Sequence, residues 1–96
     1  MTDNEAPASG AHPHVNFDAP ADLRKWPSLH NQRRIEGTGP YLLLDGSLDE
    51  CIREFMARPA SYRHLYEIQT SPQPPLVADA LSEEIVAELA RLREFL

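Results

Sequence analysis

The stretch Tyr41-Leu42-Leu43-Leu44-Asp45-Gly46-Ser47-Leu48-Asp49-Glu50-Cys51-Ile52-Arg53-Glu54-Phe55-Met56-Ala57-Arg58-Pro59 decides the fold. Its first four residues are an apolar run closed by Asp45-Gly46, the pattern of a short buried strand. Ser47 and, three residues on, Glu50 form a capping box, so a helix opens there. Asp49 and Glu50 favour the positive end of that helix dipole. Leu48, Ile52, Phe55 and Met56 recur at i, i+4, i+7 and i+8, which makes one face apolar. Arg58-Pro59 ends the helix, because a residue before proline avoids the helical region.

Downstream, His64-Leu65-Tyr66-Glu67-Ile68-Gln69-Thr70 is aromatic and β-branched, and strand is the preferred reading. His64, Tyr66, Ile68 and Thr70 then share one face. A helix beginning at Ser61 is the other reading, since Tyr62, Leu65, Tyr66 and Ile68 also fall on one helical side. Ser71-Pro72-Gln73-Pro74-Pro75 is too rich in proline to be helical throughout. A last helix runs from about Ser82 to Leu96, with Ser82 as N-cap and Glu83-Glu84 in its first turn. Leu81, Ile85, Leu89, Leu92 and Leu96 form its apolar stripe.

The expected fold is therefore α+β or small α/β, a β-α-β-α unit with room between the strands for a parallel crossover. The alternative is all-α, with a helix-turn-helix-like pair around Arg58-Pro59-Ala60. Three segments are expected. Residues 1–22 hold Pro7, Pro13 and Pro20 among small and polar residues, and they read as a disordered arm. Residues 23–39 read as an irregular basic strap, broken by Pro27 and by Gly37-Thr38-Gly39-Pro40. Residues 40–96 are the compact domain.

A chain of 96 residues with one cysteine has a small core and no internal disulfide to staple it. Self-association is the remaining staple, and two parallel strands would leave both edges open. A homodimer is expected, with Leu81, Ile85, Leu89, Leu92 and Leu96 as candidate contacts unless that stripe is core packing, its first reading. A second copy completing the sheet is another route, and the arm adding an edge strand is the alternative. The net charge is −6, which repels a phosphate backbone at long range and disfavours nucleic acid as a partner. No apolar run approaches a membrane span, and the acidic first residues do not read as a signal peptide. Cytoplasmic location is the expectation. Eight of the nine basic residues are arginine, a skew produced by GC-rich bacterial genomes.

Candidate chemistry is sparse. His12-Pro13-His14 is the closest histidine pair, but a metal needs more ligands at fixed distances. Cys51 with His64 has the types of a nucleophile and base, with Tyr62 and Tyr66 nearby in sequence. A helix N-terminus would lower the thiol pKa. Asp45-Gly46-Ser47 precedes a helix as an anion site does, yet carboxylates surround it and Ser47 already caps. Asp49, Glu50, Glu54, Glu83, Glu84 and Glu88 fit solvated helix faces better than catalytic pairs. No catalytic, cofactor or metal residue is assigned.

The most function-like feature is Arg24-Lys25-Trp26 with Arg33 and Arg34, since Arg and Trp dominate interfaces. Their bland reading is internal pairing, with Trp26, Leu29 and Ile35 laid over the core. The expected function is a small non-enzymatic adaptor or accessory protein that binds a protein partner. A nucleic-acid-binding regulator and a small enzyme or ligand-binding domain at a dimer interface stand behind it.

Overall fold

Pro20–Lys25 is the strand on which the sheet is built. The computed structural model describes residues 15–74 and 77–95. In chain order the elements are β1 (Pro20–Lys25), β2 (Ser28–Leu29), β3 (Gln32–Arg33), β4 (Tyr41–Ser47), α1 (Leu48–Met56), a 3-10 helix (Ala60–Leu65), β5 (Tyr66–Thr70), β6 (Ala80–Leu81) and α2 (Glu83–Arg93). The main sheet has four strands in the order β4-β1-β5-β6, and every neighbouring pair is antiparallel. This is a small α+β fold.

Alternation along β1 sets the two faces of the sheet. Ala21 and Leu23 are buried, while Asp22 and Arg24 are only half-buried. Successive side chains of a strand point to opposite faces, so Leu23 looks into the core and its neighbours look out. Leu44, Leu23, Ile68 and Leu81 are in register across all four strands. That row floors the core. Helix α1 lays Leu48, Cys51, Ile52 and Phe55 on it, and α2 adds Val86 and Leu89. The opposite face carries Asp22, Arg24, Glu67 and Gln69 in register.

Both helices start as their sequences dictate. The Ser47 hydroxyl accepts from the Glu50 amide at 3.1 Å, and the Glu50 carboxylate takes the Ser47 amide at 2.9 Å. Ser82 caps α2 through the Ile85 amide. Arg63 closes the other end of α1 by donating to the carbonyls of Met56 and Arg58, which are orphaned at a helix C-terminus.

Four expectations need correction. The boundary at residue 40 fails, because Pro20–Lys25 lies at the sheet centre, drawn from the segments read as arm and strap. The strands β4 and β5 do run parallel, but β1 separates them, so no parallel ladder forms. The strand at Tyr41 extends to Ser47 and is an edge, not buried: Tyr41, Leu42 and Leu43 are 48%, 52% and 42% exposed. The helix-turn-helix alternative also fails, because the six-residue 3-10 helix runs directly into β5. Residues 1–14 lie outside the described part.

Candidate interaction surface

The basic strap is an ordered β-hairpin. Strands β2 and β3 pair antiparallel, Ser28 opposite Arg33 and Leu29 opposite Gln32. His30 and Asn31 alone connect them, with φ of 53° and 60°. A two-residue turn matching strand twist needs positive φ at both positions, and side chains other than glycine resist it. Neighbouring contacts hold the turn there. Asn31 donates from its side chain to the Ser61 carbonyl at 3.2 Å. The Asn31 carbonyl only accepts, so His64 Nε2, 2.6 Å away, carries the proton.

Arg33 clamps the hairpin to the sheet. Its guanidinium donates to the His64 and Tyr66 carbonyls and approaches Glu67 at 3.8 Å. It also stacks over the Trp26 ring, 5.3 Å from the centroid, a geometry in which a cation is attracted to the aromatic face. Trp26 Nε1 donates to the same Glu67 carboxylate at 3.3 Å. The Trp26 amide donates to Leu65 and the Arg34 amide to Pro27, each at 2.7 Å.

The five candidate partner-binding residues therefore divide. Arg24 pairs with Asp22 at 2.8 Å, and that bond raises its guanidinium above the ordinary value. Lys25 sits between the rings of Tyr41 and Tyr66, 5.9 and 6.0 Å from their centroids. Trp26 and Arg33 are bound to each other and to Glu67. Arg34 is exposed beside a hollow that it lines with Leu29, His30, Gln32, Arg33 and Glu36. Leu29 and Ile35, expected to cover the core, are instead 58% and 75% exposed. Their exposure was invisible in sequence, where each looks like an ordinary core residue.

The α2 stripe serves the chain's own core, the first of its two expected readings. Leu81 and Leu89 are buried in the chain's own core, with Val86, which lies off the expected stripe. Ile85 packs against that core and Leu92 is half-buried. Leu96 lies outside the described residues.

The remaining chemistry does not assemble. Cys51 is fully buried on the inner face of α1, and burial, with Asp22 and Glu50 nearby, pushes its thiol up to about 11. That reverses the expected dipole effect: removing the thiolate from water outweighs the helix end. His64 is committed to Asn31. The space beside Asp45-Gly46-Ser47, the end of β4, is filled by Glu50, whose carboxylate a side chain at Gly46 would strike. Helix carboxylates meet bases: Asp49 with Arg53 and Arg93, Glu54 with Arg58, Glu88 with Arg91. Among the described residues, no three His, Cys, Asp or Glu side chains gather as metal ligands, and His12 and His14 lie outside them. No helix among them is long and apolar enough to cross a membrane.

The chain matches no protein-family model, no curated protein and no solved structure.

Proposed function

We propose that the chain is a small non-enzymatic interaction protein, an adaptor or accessory subunit, and that it binds a protein partner through the outer side of the β2–β3 hairpin. The observation that carries this reading is Leu29 on the hairpin and Ile35 two residues past its end, 58% and 75% exposed. The exposed Arg34 is tied by its amide to Pro27 at the foot of a hairpin already locked by Arg33. Apolar side chains beside arginine on a preorganised backbone are the composition of an interface centre, and rigidity lowers the ordering cost of binding. The matching partner surface is an apolar depression rimmed by carboxylates. Arg33 and Trp26 act indirectly, by holding the hairpin.

A cytoplasmic setting and a bacterial source go with this reading, supported by the lone cysteine and the arginine-rich basic set.

The test is site-specific photocrosslinking in cells that express the chain natively. A photoreactive residue at Leu29 or Ile35 should yield a discrete protein adduct that one at Glu84, on α2, does not. Adding Arg34→Glu should abolish it while circular dichroism stays unchanged. The reading fails if hairpin and α2 positions give the same products, or none.

A further inference from the structure

We infer that two copies of this chain join through β4, antiparallel to each other, so that their sheets merge into one of eight strands. This inference is independent of the hairpin reading and uses a different part of the surface.

The first support is the edge itself. β4 is seven residues long and ends the sheet order, so its outer amides and carbonyls have no strand partner among the described residues. The opposite edge, β6, is only two residues. Monomeric proteins blunt long edges with lysine, proline or inward charge. β4 has a register shift that skips Leu43 and an exposed Asp45 near its end. Its first three positions, Tyr41, Leu42 and Leu43, are nonetheless all exposed and carry no charge.

The second support is charge, and it selects a second copy as the occupant. A hollow beside β4 is lined by Leu43, Leu44, Glu50, Arg53, Glu54 and Arg58. Its helical wall reads acid, base, acid, base from the start of α1 to its end. A twofold axis normal to the merged sheet would place the two α1 helices on the same face, running in opposite directions. An isologous interface must match itself when reversed, and this stripe does. Glu50 would face Arg58 of the other copy, and Arg53 would face Glu54.

Spacing is consistent with that arrangement. α1 packs over β1, and neighbouring strands lie about 4.8 Å apart, so three spacings separate the helices by about 14 Å. Direct helix packing needs 8–10 Å. Long Arg and Glu side chains above the four apolar Leu43 and Leu44 side chains of the two copies would fill the difference.

Sedimentation of the full chain, with paired charge swaps, tests this. Wild type should sediment as a dimer at 100 µM, and Leu43→Lys should raise the dissociation constant about 100-fold with unchanged circular dichroism. Arg53→Glu and Glu54→Arg should each give monomers, and an equimolar mixture of the two should recover a dimer, because every facing pair is then opposite in charge. Destabilisation alone cannot produce recovery on mixing. A monomeric wild type, a dimer insensitive to Leu43→Lys, or a mixture that stays monomeric would each overturn the inference.

Discussion

Leu23 lies directly opposite Ile68 across the β1–β5 ladder, and both side chains are fully buried. The pair joins a residue read from sequence as part of a peripheral strap to one read as part of the domain. It makes residues 20–25 the centre of the sheet rather than an attachment to it.

Leu23→Ala should lower the free energy of unfolding by about 2–5 kcal/mol, the cost of deleting a buried leucine side chain and leaving a cavity. Were residues 23–39 a surface strap, the loss would stay within about 0.5 kcal/mol. Urea denaturation followed by far-ultraviolet circular dichroism separates the two outcomes. A chain this small has little stability to spare, so Leu23→Val provides the milder member of the series.

Arg33→Ala should free the hairpin without unfolding the sheet. Trp26 is the single tryptophan and lies beneath the Arg33 guanidinium, so its emission should shift to the red. Global stability should fall by about 1 kcal/mol, since the lost bonds are to partly exposed carbonyls. Arg34→Ala, which leaves the clamp intact, should change neither quantity.

The Cys51 thiol should be inert in the folded protein. With its pKa raised to about 11, roughly 1 in 10,000 molecules carries thiolate at pH 7, and only the thiolate reacts. Labelling by a disulfide reagent should accelerate with urea in step with unfolding. Rapid labelling in native buffer would contradict the buried placement. Cys51→Ser should cost about 1–3 kcal/mol, the penalty of burying a hydroxyl without a partner.

Glu50 should make the fold acid-sensitive. Its carboxyl is held below the ordinary value by the Ser47 amide and then by the Ser47 hydroxyl. A depressed folded pKa contributes stability that is fully present above the unfolded value, about 4.3. That contribution disappears as pH falls through the folded value. Glu50→Gln keeps a capping side chain but no charge. The gap in urea midpoint between wild type and Glu50→Gln should therefore be open at pH 6 and narrow steadily as pH falls below about 4.3. A gap independent of pH would show that the carboxylate charge contributes nothing there.

Much of the secondary structure was legible because its signals are local. Ser47 with Glu50, and Ser82 with Glu83 and Glu84, mark helix starts within a single turn. The Leu48, Ile52 and Phe55 spacing chose the buried face of α1 correctly. β5 was legible from its aromatic and β-branched content, although His64 and Leu65, expected to open it, belong to the 3-10 helix Ala60–Leu65. The candidate site was legible only as composition. Arg24, Lys25, Trp26, Arg33 and Arg34 stood out as a basic aromatic cluster, but nothing local distinguished clamps from exposed groups.

The amino-acid sequence by itself determined the two helices, their capped starts and the existence of strands on either side of α1. Each follows from neighbours a few residues apart, whose hydrogen bonds and side-chain periodicity act in any context. Tertiary structure alone decided that Pro20–Lys25 is an inner strand, that Tyr41–Leu43 is an exposed edge and that Arg33 bonds back to the His64 and Tyr66 carbonyls. Pro-Ala-Asp-Leu-Arg-Lys has little strand preference of its own. It becomes a strand because Leu23 completes a hydrophobic row with Leu44, Ile68 and Leu81, residues distant in sequence. Burial of that row is collective, and no single segment carries its signal.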